Sequence, residues 1–297
     1  MTAGQVLRGI EFSIPGGSPL LLDLYLPGGG STQVPVPAVV HFHGGGWRTG
    51  ERSSLGPVTD GFSLTPFERL AAAGFAVVSA DYRLSSEAVF PAQLLDARAA
   101  VSWLRSHAAD YNVDPERIYA WGDSAGGHLA CLVGLGADGS GGYDVDGSGD
   151  GGDGGQAGAA RVAAVAAWYA PTDLVRMGAQ ALPDAVATAD DPGSREALLI
   201  GARPADAPEK AAAASPLSYV GGHAPPFFLA HGTADRFVPP AQATTLAAAL
   251  EASGADVELH LIEGADHMWL LPDESPAAAQ KVLDATIDFF RRQARAS

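Results

Sequence analysis

Cysteine is nearly absent: Cys131 stands alone in 297 residues. An intramolecular disulfide is therefore excluded, and the chain suits a reducing compartment, so a cytoplasmic location is expected. Cys131 itself falls within an apolar helical stretch and is expected as a small buried residue, not a reactive thiol. Long uninterrupted apolar runs are also missing, although 47% of the residues are hydrophobic, so no membrane-spanning helix is expected. The first residues, Met1-Thr2-Ala3-Gly4-Gln5-Val6-Leu7-Arg8, lack a basic region followed by an apolar stretch, so no signal peptide is expected. Basic residues are scarce, 18 Lys and Arg against 34 Asp and Glu, for a formal net charge of -16. Such a surface disfavours nucleic acid and anionic membranes as partners. No internal repeat is evident. A chain of this length with this apolar content can bury a large core as one α/β domain over residues 1–297.

What is present centres on Trp121-Gly122-Asp123-Ser124-Ala125-Gly126-Gly127-His128. The residues before it, Arg117 to Trp121, are short, apolar and partly β-branched and read as a buried strand. Ala125 to Leu135 reads as a helix. A serine on a strand-to-helix turn with glycine two residues to either side has the form of a nucleophile elbow. The helix N-terminus there favours developing negative charge. A second signal lies upstream. The apolar strand Pro37 to His43 runs directly into Gly44-Gly45-Gly46-Trp47. Glycines at that point let the backbone approach a substrate and leave N–H groups free to face it.

Strand-like and helix-like segments alternate from residue 36 onward, which predicts a mainly parallel sheet covered on both faces. Strands are expected near 5–14, 20–26, 37–43, 75–80, 117–121, 161–168, 226–232 and 256–262. Helices are expected at 66–73, from Pro91 to Leu104, at 125–135, 242–252 and 276–295. Residues 51–62 form a polar loop expected to lie over the site. Residues 137–160 are mostly Gly, Asp and Ser and read as a flexible surface insertion. Within it, Asp144-Val145-Asp146-Gly147-Ser148-Gly149-Asp150 resembles the first half of a calcium loop. The later bidentate glutamate and the flanking helices are missing, so an acidic linker is the better reading. Residues 174–214 carry no strand candidate, are helix-prone and are broken by prolines. They read as a small lid-like insertion.

In such a sheet, active residues sit on loops at the carboxyl ends of strands. A serine hydroxyl needs a base in contact. Of the eight histidines, His267 is best placed, on a loop after the last strand. His41, His43, His128 and His231 read as packing or loop-bracing groups, and His107, His223 and His260 as surface or structural ones. The base needs a carboxylate to fix its tautomer and stabilise the imidazolium. Asp235, between a strand end and a helix, gives the order Ser124, Asp235, His267, the chain order of hydrolase triads on α/β sheets. Asp173 is the weaker rival, and Asp266 is too close in sequence to His267 to face it. Trp47, Trp168, Tyr169, Trp269 and Leu270 are candidate walls of an apolar substrate pocket, with the core as the alternative.

These pieces together carry a resemblance. His43-Gly44-Gly45-Gly46-Trp47, Asp81-Tyr82-Arg83, Gly122-Asp123-Ser124-Ala125-Gly126-Gly127, Pro171-Thr172-Asp173, His231-Gly232-Thr233-Ala234-Asp235 and Asp266-His267 follow in order over about residues 20–295. The chain resembles α/β-hydrolase esterases related to hormone-sensitive lipase, and the branch of feruloyl-esterase-like and acetyl-xylan-esterase-like enzymes. The resemblance implies an α/β-hydrolase fold with a mainly parallel eight-stranded sheet flanked by helices. It implies a triad of Ser124, His267 and Asp235. It also implies oxyanion donors from the backbone of Gly45, Gly46 and Ala125, with Gly44 supporting the turn. The expected activity is hydrolysis of small or medium carboxylic esters, with a small-molecule ester as the partner and no metal or organic cofactor. An amidase, formamidase or peptidase on the same groups, and a catalytically silent binding module on the same fold, are the alternatives.

Overall fold

The computed structural model describes residues 4–28, 34–56, 59, 61–137 and 160–296. Eight strands form one sheet: β1 (Val6–Ser13), β2 (Leu20–Tyr25), β3 (Val36–Phe42), β4 (Ala76–Ala80), β5 (Val113–Asp123), β6 (Val165–Trp168), β7 (Phe227–Gly232) and β8 (Val257–Ile262). Their spatial order is β1-β2-β4-β3-β5-β6-β7-β8. β1 with β2 and β2 with β4 pair antiparallel, and every other pairing is parallel. This is the mainly parallel, eight-stranded α/β-hydrolase sheet expected above.

Parallel strands need crossover connections, and here helices supply most of them. α1 (Pro66–Ala72), α2 (Ala92–Ser106), α3 (Ala125–Gly134), α6 (Ala241–Ala252) and α7 (Ala277–Ala296) pack on the sheet, while α4 (Arg195–Ile200) and α5 (Pro208–Ala213) lie in the long connection from β6 to β7. Side chains alternate across a strand, so a strand covered on both faces must be apolar throughout. In β5, Ile118 and Ala120 enter the core under α2 and α3, whereas Tyr119 and Trp121 enter the core under α1 and α7. β7 divides likewise, with Phe227 and Leu229 on one side and Phe228 and Ala230 on the other. This is why the central strands read as apolar runs instead of alternating patterns.

α1 begins with a capping box: Thr65 Oγ1 accepts from the Glu68 N–H and the Glu68 carboxylate accepts from the Thr65 N–H. α2 buries Leu94, Ala97, Val101 and Leu104, the stripe expected from spacing. β5 starts earlier than expected, at Val113, because Val113 pairs with Val36 beyond a register shift. β6 is shorter than expected, four residues from Val165, because only that part reaches between β5 and β7. Residues 138–159, including the calcium-like stretch Asp144 to Asp150, lie outside the described residues. The 174–214 stretch forms turns, 3-10 turns and the two short helices α4 and α5, with no strand. Among the described residues no helix is long and apolar enough to cross a membrane.

The register aligns the strand ends that matter. Phe42 pairs with Gly122, Asp123 with Trp168, Trp168 with Ala230 and Gly232 with Ile262. The loops leaving β3, β5, β6, β7 and β8 therefore emerge along one edge of the sheet.

α7 covers one face of the sheet together with α1. Leu283, fully buried at its centre, packs with Val282, Ile287 and Phe290 in that core. Leu283→Ala is expected to cost about 2–5 kcal/mol. Equilibrium urea unfolding checks this as a lowered midpoint at unchanged slope.

Candidate active site

Ser124 sits between the end of β5 and the start of α3 with φ 51° and ψ −117°, a backbone conformation that a non-glycine residue seldom adopts. Close packing enforces it. A Cβ at Gly126 would lie 1.8 Å from the Phe42 carbonyl oxygen, and one at Gly122 would lie 2.2 Å from the Gly126 carbonyl. The Ser124 N–H donates to the Trp168 carbonyl at 2.8 Å, and its carbonyl accepts from the His128 N–H at 3.0 Å. Ser124 is thus held from the neighbouring strand and from its own helix.

Asp235 and His267 reach the same place on two loops joined by backbone bonds. The Thr233 N–H donates to the Ile262 carbonyl at 2.9 Å and the Ala234 N–H to the Ala265 carbonyl at 3.0 Å. His267 Nε2 lies 3.0 Å from Ser124 Oγ, and His267 Nδ1 lies 2.7 Å from Asp235 Oδ2. The carboxylate can only accept, so Nδ1 carries the proton and Nε2 is left to accept from the serine hydroxyl. Asp235 is fully buried. Its Oδ1 accepts from the N–H groups of Phe237 (2.9 Å) and Val238 (2.8 Å). His231 Nε2 donates to the Val238 carbonyl at 2.9 Å and lies 3.3 Å from Asp235 Oδ2. Burial opposes ionisation of Asp235, but the hydrogen bonds from His231 and His267 outweigh it and hold its carboxyl well below the usual carboxylate range. A fixed anion therefore stands behind His267.

The other acids near this loop are engaged elsewhere. Asp173 pairs with Arg176 and accepts from the Val175 N–H. Asp266 pairs with Arg236 and accepts from the His267 N–H at 2.7 Å.

The glycine turn after β3 lies alongside the elbow. The Gly44 N–H donates to Asp123 Oδ1 at 3.0 Å, so it is occupied. Gly45 and Gly46 have φ of 113° and 61°. A Cβ at Gly45 would lie 2.1 Å from the Thr49 carbonyl oxygen, and one at Gly46 would lie 2.3 Å from Arg195 Cδ. The Gly45 carbonyl closes the turn by accepting from the Arg48 and Thr49 N–H groups at 3.2 Å. Gly45, Gly46 and Ala125 all line the cavity that Ser124 faces. Ala125 is the first residue of α3, where the N–H has no partner within the helix. An arrangement of this kind can hold a developing oxyanion.

Three further histidines, His41, His43 and His128, pack around these loops. His43 Nδ1 donates to the Gly44 carbonyl at 2.7 Å, and its ring stacks on Tyr82 with centroids 4.3 Å apart. The Tyr82 hydroxyl donates to the His43 carbonyl at 2.8 Å. His41 Nε2 lies 3.4 Å from Asp123 Oδ1. His128 Nε2 donates to the Ala214 carbonyl at 2.6 Å, and its burial lowers its pKa to about 4.

Of the expected pocket walls, Trp47 and Leu270 do line the cavity. Trp168, Tyr169 and Trp269 do not. Trp168 and Trp269 are fully buried in the core under α7, and Trp168 Nε1 donates to Thr286 Oγ1 at 2.9 Å. Tyr169 meets the His267 ring edge-on at 4.6 Å and Trp269 at 4.8 Å. These rings pack in the core beside His267, Tyr169 and Trp269 on a backbone of positive φ, 36° and 65°. Of the polar loop 51–62, residues 57, 58 and 60 lie outside the described residues, and a Cβ at Gly56 would stand 3.8 Å from Sδ of Met268, a cavity wall. Arg52 ties the loop to Asp23 and Asp81, and none of its described residues lines the cavity. The walls that pattern reading missed are Pro171, Arg195, Glu196, Phe237, Val238 and Met268. Phe237 and Val238 follow Asp235 at two and three residues, which is a usable signal. Arg195 and Glu196 lie on a short helix with no motif of their own.

The BD-FAE family model matches residues 22–250. Esterase LipQ of Mycobacterium tuberculosis is 31% identical over 278 residues, 93% of this chain. The chain spans 60% of the length of LipQ. A truncated carbohydrate esterase from gut microbiota superposes with a TM-score of 0.79 at 28% identity, covering 99% of this chain and 98% of that one. A thermophilic esterase of Thermogutta terrifontis superposes with a TM-score of 0.72 at 26% identity, covering 97% and 91% of the two chains.

Two outcomes are expected from this geometry. Gly126→Ala costs about 4 kcal/mol or more, since backbone atoms must move, whereas Gly193→Ala, with open space around its Cα, changes stability by no more than about 0.5 kcal/mol. Denaturant midpoints of the two variants decide this. The second concerns acid. The folded carboxyl of Asp235 ionises below its unfolded value, so its contribution is present above about pH 4 and is lost as pH falls through the folded pKa. Asp235→Asn removes up to about 1.4 kcal/mol per pH unit from the slope of stability below about pH 4. Unfolding free energies of both proteins over that acid range are the measurement. An equally steep acid limb in the variant contradicts the expectation.

Proposed function

The chain belongs to the BD-FAE family, and from that premise we propose that it is a serine hydrolase of carboxylic esters working through an acyl-enzyme. One observation carries the reading: Ser124 Oγ, His267 and Asp235 form a continuous hydrogen-bonded line, at 3.0 Å and 2.7 Å.

The steps follow from the positions of the groups. His267 Nε2 takes the hydroxyl proton as Ser124 Oγ attacks the ester carbonyl carbon. The carbonyl π electrons move to oxygen, and the N–H groups of Gly45, Gly46 and Ala125 hold the resulting oxyanion. Each such donor is worth roughly 3–4 kcal/mol in chemistry of this kind. The imidazolium formed on His267 is stabilised by the ionised Asp235, which stays deprotonated throughout. The intermediate collapses, the alkoxide leaves, and His267 gives it the proton. Water then attacks the acyl carbon as His267 accepts its proton, and the second tetrahedral intermediate collapses to the free acid as Ser124 Oγ leaves and recovers the proton from His267.

The cavity supports small or medium substrates. It holds about 290 Å³, near the lower end of the roughly 300–1,000 Å³ typical of small-molecule sites. Trp47, Phe237, Val238, Met268 and Leu270 make its apolar surface.

Ser124→Ala is expected to lower kcat on a short-chain nitrophenyl ester by about 10⁴-fold or more. The wild-type protein should also be labelled at Ser124 by a fluorophosphonate, and peptide mass mapping locates the adduct. Undiminished hydrolysis by the variant, or labelling at another residue, refutes the mechanism.

A further inference from the structure

The cavity beside Ser124 is lined by one arginine, Arg195, the first residue of α4. Its side chain lies against the glycine turn: a Cβ at Gly46 would meet Arg195 Cδ at 2.3 Å and Nε at 2.9 Å. Its guanidinium carbon stands 5.1 Å from the centroid of the Phe237 ring. That face-on contact holds a cation in place without neutralising it. Among the described residues no carboxylate forms an ion pair with Arg195. Arg52, Arg83, Arg117, Arg176, Arg236 and Arg292 are each paired with an acid. In a chain with 34 acidic and 18 basic residues, an uncompensated arginine in the substrate cavity is a feature that surface charge balance does not supply.

Two acids share the cavity wall, and among the described residues neither forms an ion pair with Arg195. Asp123 is occupied by the Gly44 N–H and lies beside His41. Glu196 is buried, with 4% of its surface exposed, and burial pushes its carboxyl up, towards the neutral form, against the opposing pull of Arg195. A guanidinium with free donors in a partly enclosed site matches a carboxylate, which it can grip with two parallel hydrogen bonds.

We propose that Arg195 is a specificity-determining residue that receives a carboxylate on the substrate, so that the site selects anionic esters, such as hemiesters of short dicarboxylic acids, over neutral esters of equal length. The proposal rests on the ester-hydrolase reading above. Because Arg195 packs on Gly46, a carboxylate it holds lies a short chain away from the reacting carbonyl. The overall negative charge of the protein does not defeat this. Charges more than about 8 Å away are largely screened at physiological salt, whereas a contact pair in the cavity is not.

The test compares monomethyl glutarate with methyl valerate at neutral pH in the wild-type protein, Arg195→Met and Arg195→Lys. The quantity read is the ratio of kcat/KM for the hemiester to kcat/KM for the neutral ester. Arg195→Met should lower that ratio by about tenfold or more, chiefly through KM for the hemiester. Arg195→Lys should restore part of it, since the charge returns without the planar fork. An equal effect of Arg195→Met on both esters overturns the proposal and leaves Arg195 as packing for Gly46. Turnover of the neutral ester with no response of the ratio also overturns it, while the hydrolase reading survives. Turnover of neither ester by the wild-type protein removes the hydrolase reading and the proposal together.

Discussion

Among the described glycines the tightest approach is that of the Gly126 backbone to the carbonyl oxygen of Phe42, where even one added carbon would stand 1.8 Å away. It presses the start of α3 against the end of β3. Two consequences follow from that approach. The turn into α3 has no room to relax, so Ser124 keeps its left-handed backbone and its Oγ stands proud of the sheet edge. The chain leaving β3 must also run beside the elbow, which puts Gly45, Gly46 and Ala125 around one cavity. The bond from the Gly44 N–H to Asp123 ties the same two loops a second time. Nucleophile and oxyanion donors, as proposed, are thus placed by a single packing event and not by separately tuned loops.

The base is placed by different means. Nothing presses His267 toward Ser124; it is propped from behind and anchored from below. Tyr169, Trp168 and Trp269 form a ring-against-ring wall, with Trp168 and Trp269 centroids 5.6 Å apart. Asp235 supplies the anchor. A buried carboxylate without partners would lose its charge or destabilise the fold. Here two backbone N–H groups and two imidazoles satisfy it, so it remains an anion where solvent cannot screen it. His231 is therefore as much part of the arrangement as His267, although it faces away from the cavity.

Local pattern revealed the fold and the polar centre, and tertiary turning decided the rest. The central strands were legible because a doubly covered parallel strand must be apolar on both faces, as Tyr119, Ala120 and Trp121 are. Ser124, Asp235 and His267 were legible because each follows a strand on a loop with its own glycine or acid signature. The structure brings these three within hydrogen-bond distance. The aromatic residues misled. Trp168, Tyr169 and Trp269 stand near the site in sequence, but their rings pack into the core under α7, Tyr169 and Trp269 on a backbone of positive φ. No pattern rule forecasts a left-handed aromatic residue.

The division between legible and illegible residues follows a physical line. Groups that carry the chemistry sit at strand ends, where sheet register fixes their positions and permits few residue types. Groups that shape the cavity, Arg195, Glu196 and Pro171, come from the long connection between β6 and β7. That connection is not part of the sheet, so its residues are free to differ without disturbing register. Yet it is not independent of the chemistry, because Arg195 fills the space over Gly46 that a side chain would otherwise claim. The wall proposed to select a substrate thus rests on the turn proposed to stabilise its oxyanion. Change in the connection can reach the reacting atoms through that contact, through Tyr169 against the His267 ring, and through the Ala214 carbonyl that accepts from His128 on α3.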